Sequence, residues 1–380
     1  MEDKEAEVNG ERSKGSELVD ATAGEARRFA RPFSMLDEAI AQKTFPGAAL
    51  AVTLRGKLLA WRGFGHFTYE MASPRVQRKT MWDLASLTKP IATISMAMLL
   101  YECGKLLLDA GITDVLPEFA DSADCRREKV TVRMLLEHSS GLPAHRKLYM
   151  DADGREAMVA AALRVPLESS PGARYEYSDI GFILLGEFLE KIAGERLDEF
   201  CAREVFSPLA LNFIFCPQPY ISKYIPPTEI DPAYRMRMIQ GEVGDENASA
   251  MGGVAGHAGL FGDALSVARF AECILGGGSP IFKAETVKRF TARAALPEGT
   301  SRTLGWDTPS APSQSGTRFS EGSFGHLGYT GTSLWCDPER KLSVTLLTNR
   351  TWPDATNQAI KVLRPRLHDA IVEAIECVES

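Results

Sequence analysis

"TGTSLWCDPERKLSVTLLTN", residues 330–349, decides the fold. Two runs rich in β-branched, aromatic and leucine residues flank Asp337-Pro338-Glu339-Arg340, a turn signal. The stretch therefore reads as a hairpin, with strands over 330–336 and 341–348. Near the other end of the chain, "GAALAVTLRGKLLAWRGFG" (47–65) reads as two strands around Arg55-Gly56-Lys57. Between the hairpins the apolar spacing is helical, with candidate helices over 91–104, 131–138, 155–164, 180–194, 197–205, 264–275 and 284–292. "PFSMLDEAIAQKTF" (32–45) is an amphipathic helix ending near Pro46-Gly47. "DATNQAIKVLRPRLHDAIVEAIECV" (354–378) is a closing helix that Pro365 is expected to bend or interrupt.

Strands at both ends with helices between imply a discontinuous α/β (α+β) architecture. Residues 26–85 and 302–380 are expected to form an antiparallel sheet flanked by terminal helices, with a mostly helical domain over 86–301 inserted between them. Residues 1–25, dense in charge, read as a flexible tail. The stretch 216–250 reads as a long irregular excursion, a kind of loop that often borders a site.

Composition narrows the function classes. With 44% hydrophobic and 24% charged residues over 380 positions, the chain reads as soluble and globular. A net charge of −7 without a basic run argues against nucleic acid as a partner. Seven scattered cysteines with no C-x-x-C pair fit reduced thiols rather than a disulfide framework or a zinc site. The N-terminal segment has no apolar core of a secretory signal, so a cytoplasmic location is expected, or a periplasmic one if a leader has been removed. No apolar run reaches membrane-spanning length. The six histidines show no metal-ligand spacing, and neither H-E-x-x-H nor G-x-S-x-G occurs. No cofactor is implied. "GGVAGHAGLFG" (252–262) lacks the Lys-Ser/Thr of a phosphate loop and reads as a close-packed turn.

The chemistry centres on "WDLASLTKPIATI" (82–94), which holds the chain's one Ser-x-x-Lys. Chance alone supplies about one such pattern in a chain of this composition, whatever its catalytic meaning elsewhere. Pro90 lacks an N–H and is tolerated only in a helix's first turn, so the helix must start near residue 86 or 87. Ser86 then sits where free backbone N–H groups favour developing negative charge. Lys89 rises on nearly the same face one turn later. The pair reads either as a nucleophile with its activating amine or as a serine N-cap followed by a solvated lysine.

Five motifs follow in order: "SLTK" (86–89), "LLEHSSGLP" (135–143), "PGARYEYSDIGFILLG" (171–186), "GGVAGHAGLF" (252–261) and "FGHLGYTGTSLWCDP" (324–338). Together they resemble the serine β-lactamase-like family, which includes class C β-lactamases, penicillin-binding DD-peptidases and family VIII carboxylesterases. The resemblance covers the chain from about residue 33 onward. It implies a β-lactamase/transpeptidase-like fold with the active site between the sheet and the inserted helical domain. It also implies Ser86 as nucleophile, Lys89 as its partner and Tyr177 as the proton-relaying tyrosine. The backbone N–H groups of Ser86 and Tyr329 would form the oxyanion hole.

Two departures from the family pattern shape the substrate expectation. His326-Leu327-Gly328 stands where Lys-Thr-Gly is usual. A histidine of ordinary pKa is charged in only about a quarter of molecules at pH 7. Recognition of an anionic β-lactam should then be weak unless another cation, with Arg350 as candidate, compensates. Gly328 would let the backbone approach substrate closely. Asp179 stands where an asparagine is usual, and its charge should keep Lys89 an ammonium that lowers the pKa of Tyr177, making Tyr177 the operative base. The expectation is a serine hydrolase working through an acyl-enzyme, a carboxylesterase on small or medium acyl esters with weak β-lactamase activity. The alternatives are a β-lactamase proper, a DD-peptidase or amidase on cell-wall peptides, and a catalytically inactive binding member of the family. His138, His145 and His257 read as structural residues. Trp306 and the aromatics of 213–224 read as acyl-pocket lining or core. Oligomeric state is not legible.

Overall fold

Alternation along the two hairpins builds a central layer that is buried on both faces. The structure, a computed structural model, describes residues 18–70, 72–121 and 123–379. Six strands run in the order Val19–Asp20, Lys57–Gly65, Gly47–Leu54, Leu342–Thr348, Ser333–Asp337, Phe324–Leu327. Val52 lies opposite Val344 and Leu50 opposite Leu346, so the N- and C-terminal hairpins zip together in mid-sheet. These neighbours are antiparallel, but Val19–Asp20 pairs in parallel with Lys57–Leu58 at the edge.

That edge strand corrects the expected tail. Residues 19–20 are in the sheet, Glu25–Arg28 is helical, and the Glu25 carboxylate accepts the Trp61 N–H at 2.9 Å. Residues 1–17 lie outside the described residues.

Because strand side chains alternate, Ala48, Leu50, Val52, Trp335 and Val344 face one side and Ala49, Ala51, Leu334 and Cys336 the other. The first set packs under helices Ala30–Ala41 and Ile360–Glu379 through Phe33, Leu36, Leu367 and Ile371. Each large apolar side chain buried there stabilises the fold by roughly 1.5–3 kcal/mol. The second set joins the helical region. Helix Ala264–Leu275 lies on this face, where Glu272 accepts the Gly56 N–H at 3.1 Å and pairs with the Thr53 hydroxyl. A boundary near 301 therefore assigns to the insert a helix that packs on the sheet. Spacing shows that a helix has an apolar face, but not what the face meets.

Pro365 does not interrupt the closing helix, which runs unbroken over Ile360–Glu379. The missing N–H leaves the Lys361 carbonyl without its intrahelical donor, and Gln314 Nε2 replaces it at 3.2 Å. In the insert, Ser178 caps helix Asp179–Ala193 by accepting the Gly181 N–H at 2.9 Å. A Cβ at Gly256 would lie 2.2 Å from the Phe182 carbonyl oxygen, so glycine there lets the 252–262 segment press into that helix. The segment ends in strand Leu260–Gly262, which pairs with Trp82–Asp83 and Ile214–Phe215. The 216–250 excursion contains a hairpin, Glu229–Asp231 with Arg237–Ile239, and a short helix, Glu246–Ala250. Among the described residues no helix is long and apolar enough to cross a membrane.

Candidate active site

Strand Trp82–Asp83 carries the chain into a 3₁₀ turn over Ala85–Leu87. Ala85 has φ 47°, a left-handed conformation that costs a residue with a Cβ about 1–2 kcal/mol. Asp83 holds it there. Its Oδ1 accepts the Ala85 N–H at 2.8 Å and its Oδ2 accepts the Gly244 N–H at 2.7 Å. Burial pushes this carboxyl up to about 6, against the opposite pull of the two amides. Helical winding resumes at Lys89 with a π-type turn to Thr93 and then an α-helix over Ile94–Glu102, leaving Pro90 in the first turn as its chemistry demands.

Lys89 is fully buried, and its Nζ donates to Ser86 Oγ at 3.0 Å, Asp179 Oδ1 at 2.7 Å and the His257 carbonyl at 3.1 Å. An ammonium has three donors, and all three are used. Burial works against the charge, but Asp179 and then Tyr177 outweigh it, and the Lys89 pKa lies above its ordinary value. Lys89 is thus neither a solvated lysine nor a neutral amine, but a standing cation beside Ser86 Oγ.

The Tyr177 hydroxyl lies within hydrogen-bonding reach of Lys89 and Ser86, and Lys89 Nζ sits 4.8 Å from its ring centroid. His138 walls this ring from behind at 4.5 Å between centroids, and its Nδ1 accepts the Ser178 N–H at 3.0 Å. Here the sequence expectation needs correcting. Burial raises the Tyr177 pKa above its ordinary value by more than Lys89 lowers it, so the resting side chain is a neutral phenol.

His326 is buried, and desolvation, then Lys89 and Arg302, hold its pKa well below the usual value. It is therefore uncharged at pH 7, rather than charged in a quarter of molecules. Its Nδ1 lies 2.8 Å from the Leu327 carbonyl, which makes Nδ1 the protonated nitrogen and leaves Nε2 as an acceptor. Gly328 has a different crowding partner from the expected substrate. A Cβ there would lie 1.9 Å from Thr332 Oγ1 and 2.7 Å from the Leu84 carbonyl oxygen. Thr330 and Thr332 hydroxyls donate to the Asp83 and Leu84 carbonyls, each at 3.0 Å, stitching this sheet edge to the Ser86 turn.

Ser86, Tyr177, Asp179, His326, Gly328 and Tyr329 all line one cavity of about 590 Å³. Arg350 does not. It is buried under Tyr329, with Nε on the Tyr329 carbonyl at 2.8 Å and Nη1 on the Ala355 carbonyl at 3.0 Å. The arginine that does border the cavity is Arg302, which lies over the rings of Tyr175 and Tyr177 at 4.7 and 5.4 Å. No motif marked it, because it stands in an irregular loop and reaches the site only through the folded chain. Trp306, Phe213 and Phe215 are core residues and Tyr220 and Tyr224 are exposed, so none of these aromatics lines the cavity.

Fold and site together define an α/β protein in which a serine, a buried lysine and a tyrosine meet between a sheet and a helical insert. The chain belongs to the β-lactamase family, whose model matches residues 33–364. It is 33% identical over 345 residues to the N-acetylmuramyl-L-alanine amidase of Bacillus subtilis, covering 80% of this chain and 77% of that protein. Among solved structures it resembles EstCE1, titled a hydrolase with promiscuous acyltransferase activity, at TM-score 0.74 and 23% identity over 92% of this chain and 99% of that one. A penicillin-binding protein homolog from Caulobacter crescentus is similar at TM-score 0.72 and 21% identity, covering 91% of this chain and 97% of the other.

Proposed function

We propose that this chain is a serine acyl hydrolase whose substrate is an amide or ester with polar, amino-acid-like substituents, cleaved through an acyl-enzyme on Ser86. The observation that carries the proposal is the fully buried Lys89 Nζ, placed between Ser86 Oγ and Asp179 Oδ1. Ser86 Oγ attacks the carbonyl carbon. Its proton passes to the Tyr177 oxygen as Tyr177 hands its own to the departing nitrogen or oxygen, so a neutral phenol suffices. The Lys89 ammonium stabilises the negative charge that Oγ and the phenol oxygen share during transfer, and the Ser86 and Tyr329 amides receive the oxyanion. Water then enters by the reverse path and releases the acid.

The polar substrate class follows from the cavity, which lacks the aromatic acyl wall considered from the sequence and is bordered by Arg302 and several carboxylates. A substrate carboxylate would meet Arg302 rather than the usual motif lysine. The amidase name of the Bacillus subtilis relative supports amide chemistry. Simple small esters are the second reading, favoured by the uncharged His326, which gives no cation to hold a β-lactam carboxylate. A panel of p-nitrophenyl butyrate, nitrocefin and muropeptides, assayed side by side with Ser86→Ala as control, tests the proposal. Muropeptide cleavage and ester turnover that both vanish in Ser86→Ala are expected, with nitrocefin slowest. Turnover of nitrocefin alone would overturn the substrate class.

A further inference from the structure

Six carboxylates border the cavity, and four of them have partners within the protein. Asp83 accepts two backbone amides, Asp179 holds Lys89, Asp245 binds His257 Nε2 at 2.8 Å, and Asp307 faces Arg302 at 3.7 Å. The other two, Glu229 and Glu246, form no ion pair among the described residues, and of the two only Glu246 takes a hydrogen bond, from its own backbone N–H. Glu229 opens one strand of the small hairpin and Glu246 opens the short helix after it, both half-buried beside Tyr329.

The charges facing these two are mostly of their own sign. Glu229 feels Glu246, Asp231 and Asp83, while Glu246 feels Asp245 and Asp231. Arg235 bears on both, but its guanidinium is tied to Asp231 at 3.0 Å and to the Val243 and Gly244 carbonyls at 2.7 and 2.6 Å. Burial, reinforced by Glu246, pushes the Glu229 carboxyl up to about 7. Two half-buried carboxylates with no cationic partner, lining one cavity, are relieved by an arriving cation. An independent feature lies in the lining of the same cavity. Thr351 is 1% exposed, and its Oγ1 has no hydrogen-bond partner, so an acceptor waits there too. Among the described residues no three His, Cys, Asp or Glu side chains are grouped to hold a metal ion, so the chemistry favours an organic cation with its own N–H donors.

We infer that Glu229 and Glu246 form a subsite for a primary ammonium group on the substrate, with Thr351 as a further acceptor. The inference rests on the acyl-hydrolase reading and narrows its substrate to acyl compounds that carry an amine, with Arg302 and the ammonium subsite giving the cavity opposite charge at two places. The test compares p-nitrophenyl esters of Nα-acetyl-lysine and Nα-acetyl-norleucine, in both enantiomers, whose four-carbon side chains differ only in that lysine carries the terminal ammonium and norleucine a hydrogen in its place. The kcat/KM ratio of lysine to norleucine ester is expected to be roughly five- to tenfold at about pH 8. It should shrink towards one in Glu229→Gln and in Glu246→Gln. In the unmodified chain it should also shrink as pH falls through about 7 and Glu229 takes up a proton, through KM rather than kcat. Ser86-dependent turnover with a ratio of one or below would overturn the inference and leave the hydrolase reading standing. If neither ester is turned over, the hydrolase reading fails, and calorimetry of Nα-acetyl-lysine amide against Nα-acetyl-norleucine amide on Ser86→Ala decides the subsite. Tighter lysine binding lost in Glu229→Gln supports it, and equal binding overturns it.

Discussion

Lys89→Met is expected to slow acylation by roughly 10³-fold or more, since it removes the charge that stabilises both reacting oxygens. It should also destabilise the fold by about 3–5 kcal/mol, the cost of breaking a buried ion pair from one side. The loss has a specific origin, because Asp179 would keep a negative charge whose nearest partner is gone. The two effects separate in the double variant Lys89→Met/Asp179→Asn. Replacing the stranded carboxylate by an amide should restore much of the thermal stability and none of the activity. Denaturation midpoints and single-turnover acylation rates, measured on both variants, check this. Activity recovered together with stability would show that Lys89 is a structural cation only.

Tyr177→Phe should distinguish substrates by how badly their leaving groups need a proton. The resting phenol is neutral, so its part is to exchange one proton for another during bond cleavage. An amide nitrogen cannot depart without that proton, and the expected loss is about 10³-fold, within the range for general acid–base catalysis. A p-nitrophenolate leaves unprotonated, and the loss there should be only about 10- to 100-fold. The packing of the phenyl ring against His138 is retained, so the fold should persist. Paired p-nitroanilide and p-nitrophenyl ester kinetics on the variant give the measurement. Equal losses on both substrates would remove Tyr177 from the proton path.

Much of this geometry was legible in residue order, for reasons that differ by element. The hairpins at 47–65 and 330–349 were readable because turn residues and strand alternation are local properties. Pro90 located the start of the helix because its missing N–H is a local constraint. The parallel edge strand at Val19–Asp20 was not, since two residues carry no period and their pairing is decided by the distant strand 57–65. Arg350 and Arg302 show the same limit at the site. Both are arginines in loops, and only tertiary placement sends Arg350 to backbone carbonyls beneath Tyr329 and Arg302 to the cavity. The charge states of Tyr177 and His326 depend on desolvation, a property of the surrounding shell that no short stretch encodes. Glu229 and Glu246 lie in an excursion that reads as irregular, so their shared neighbourhood became visible only with the fold.

The central claim is that Ser86 becomes acylated. Intact-mass measurement after exposure to a fluorophosphonate, followed by peptide mapping, tests it most directly. The expected result is one adduct per chain, mapped to Ser86, absent in Ser86→Ala and formed far more slowly in Lys89→Met. An adduct on any other residue, or an equal mass gain in Ser86→Ala, would contradict it.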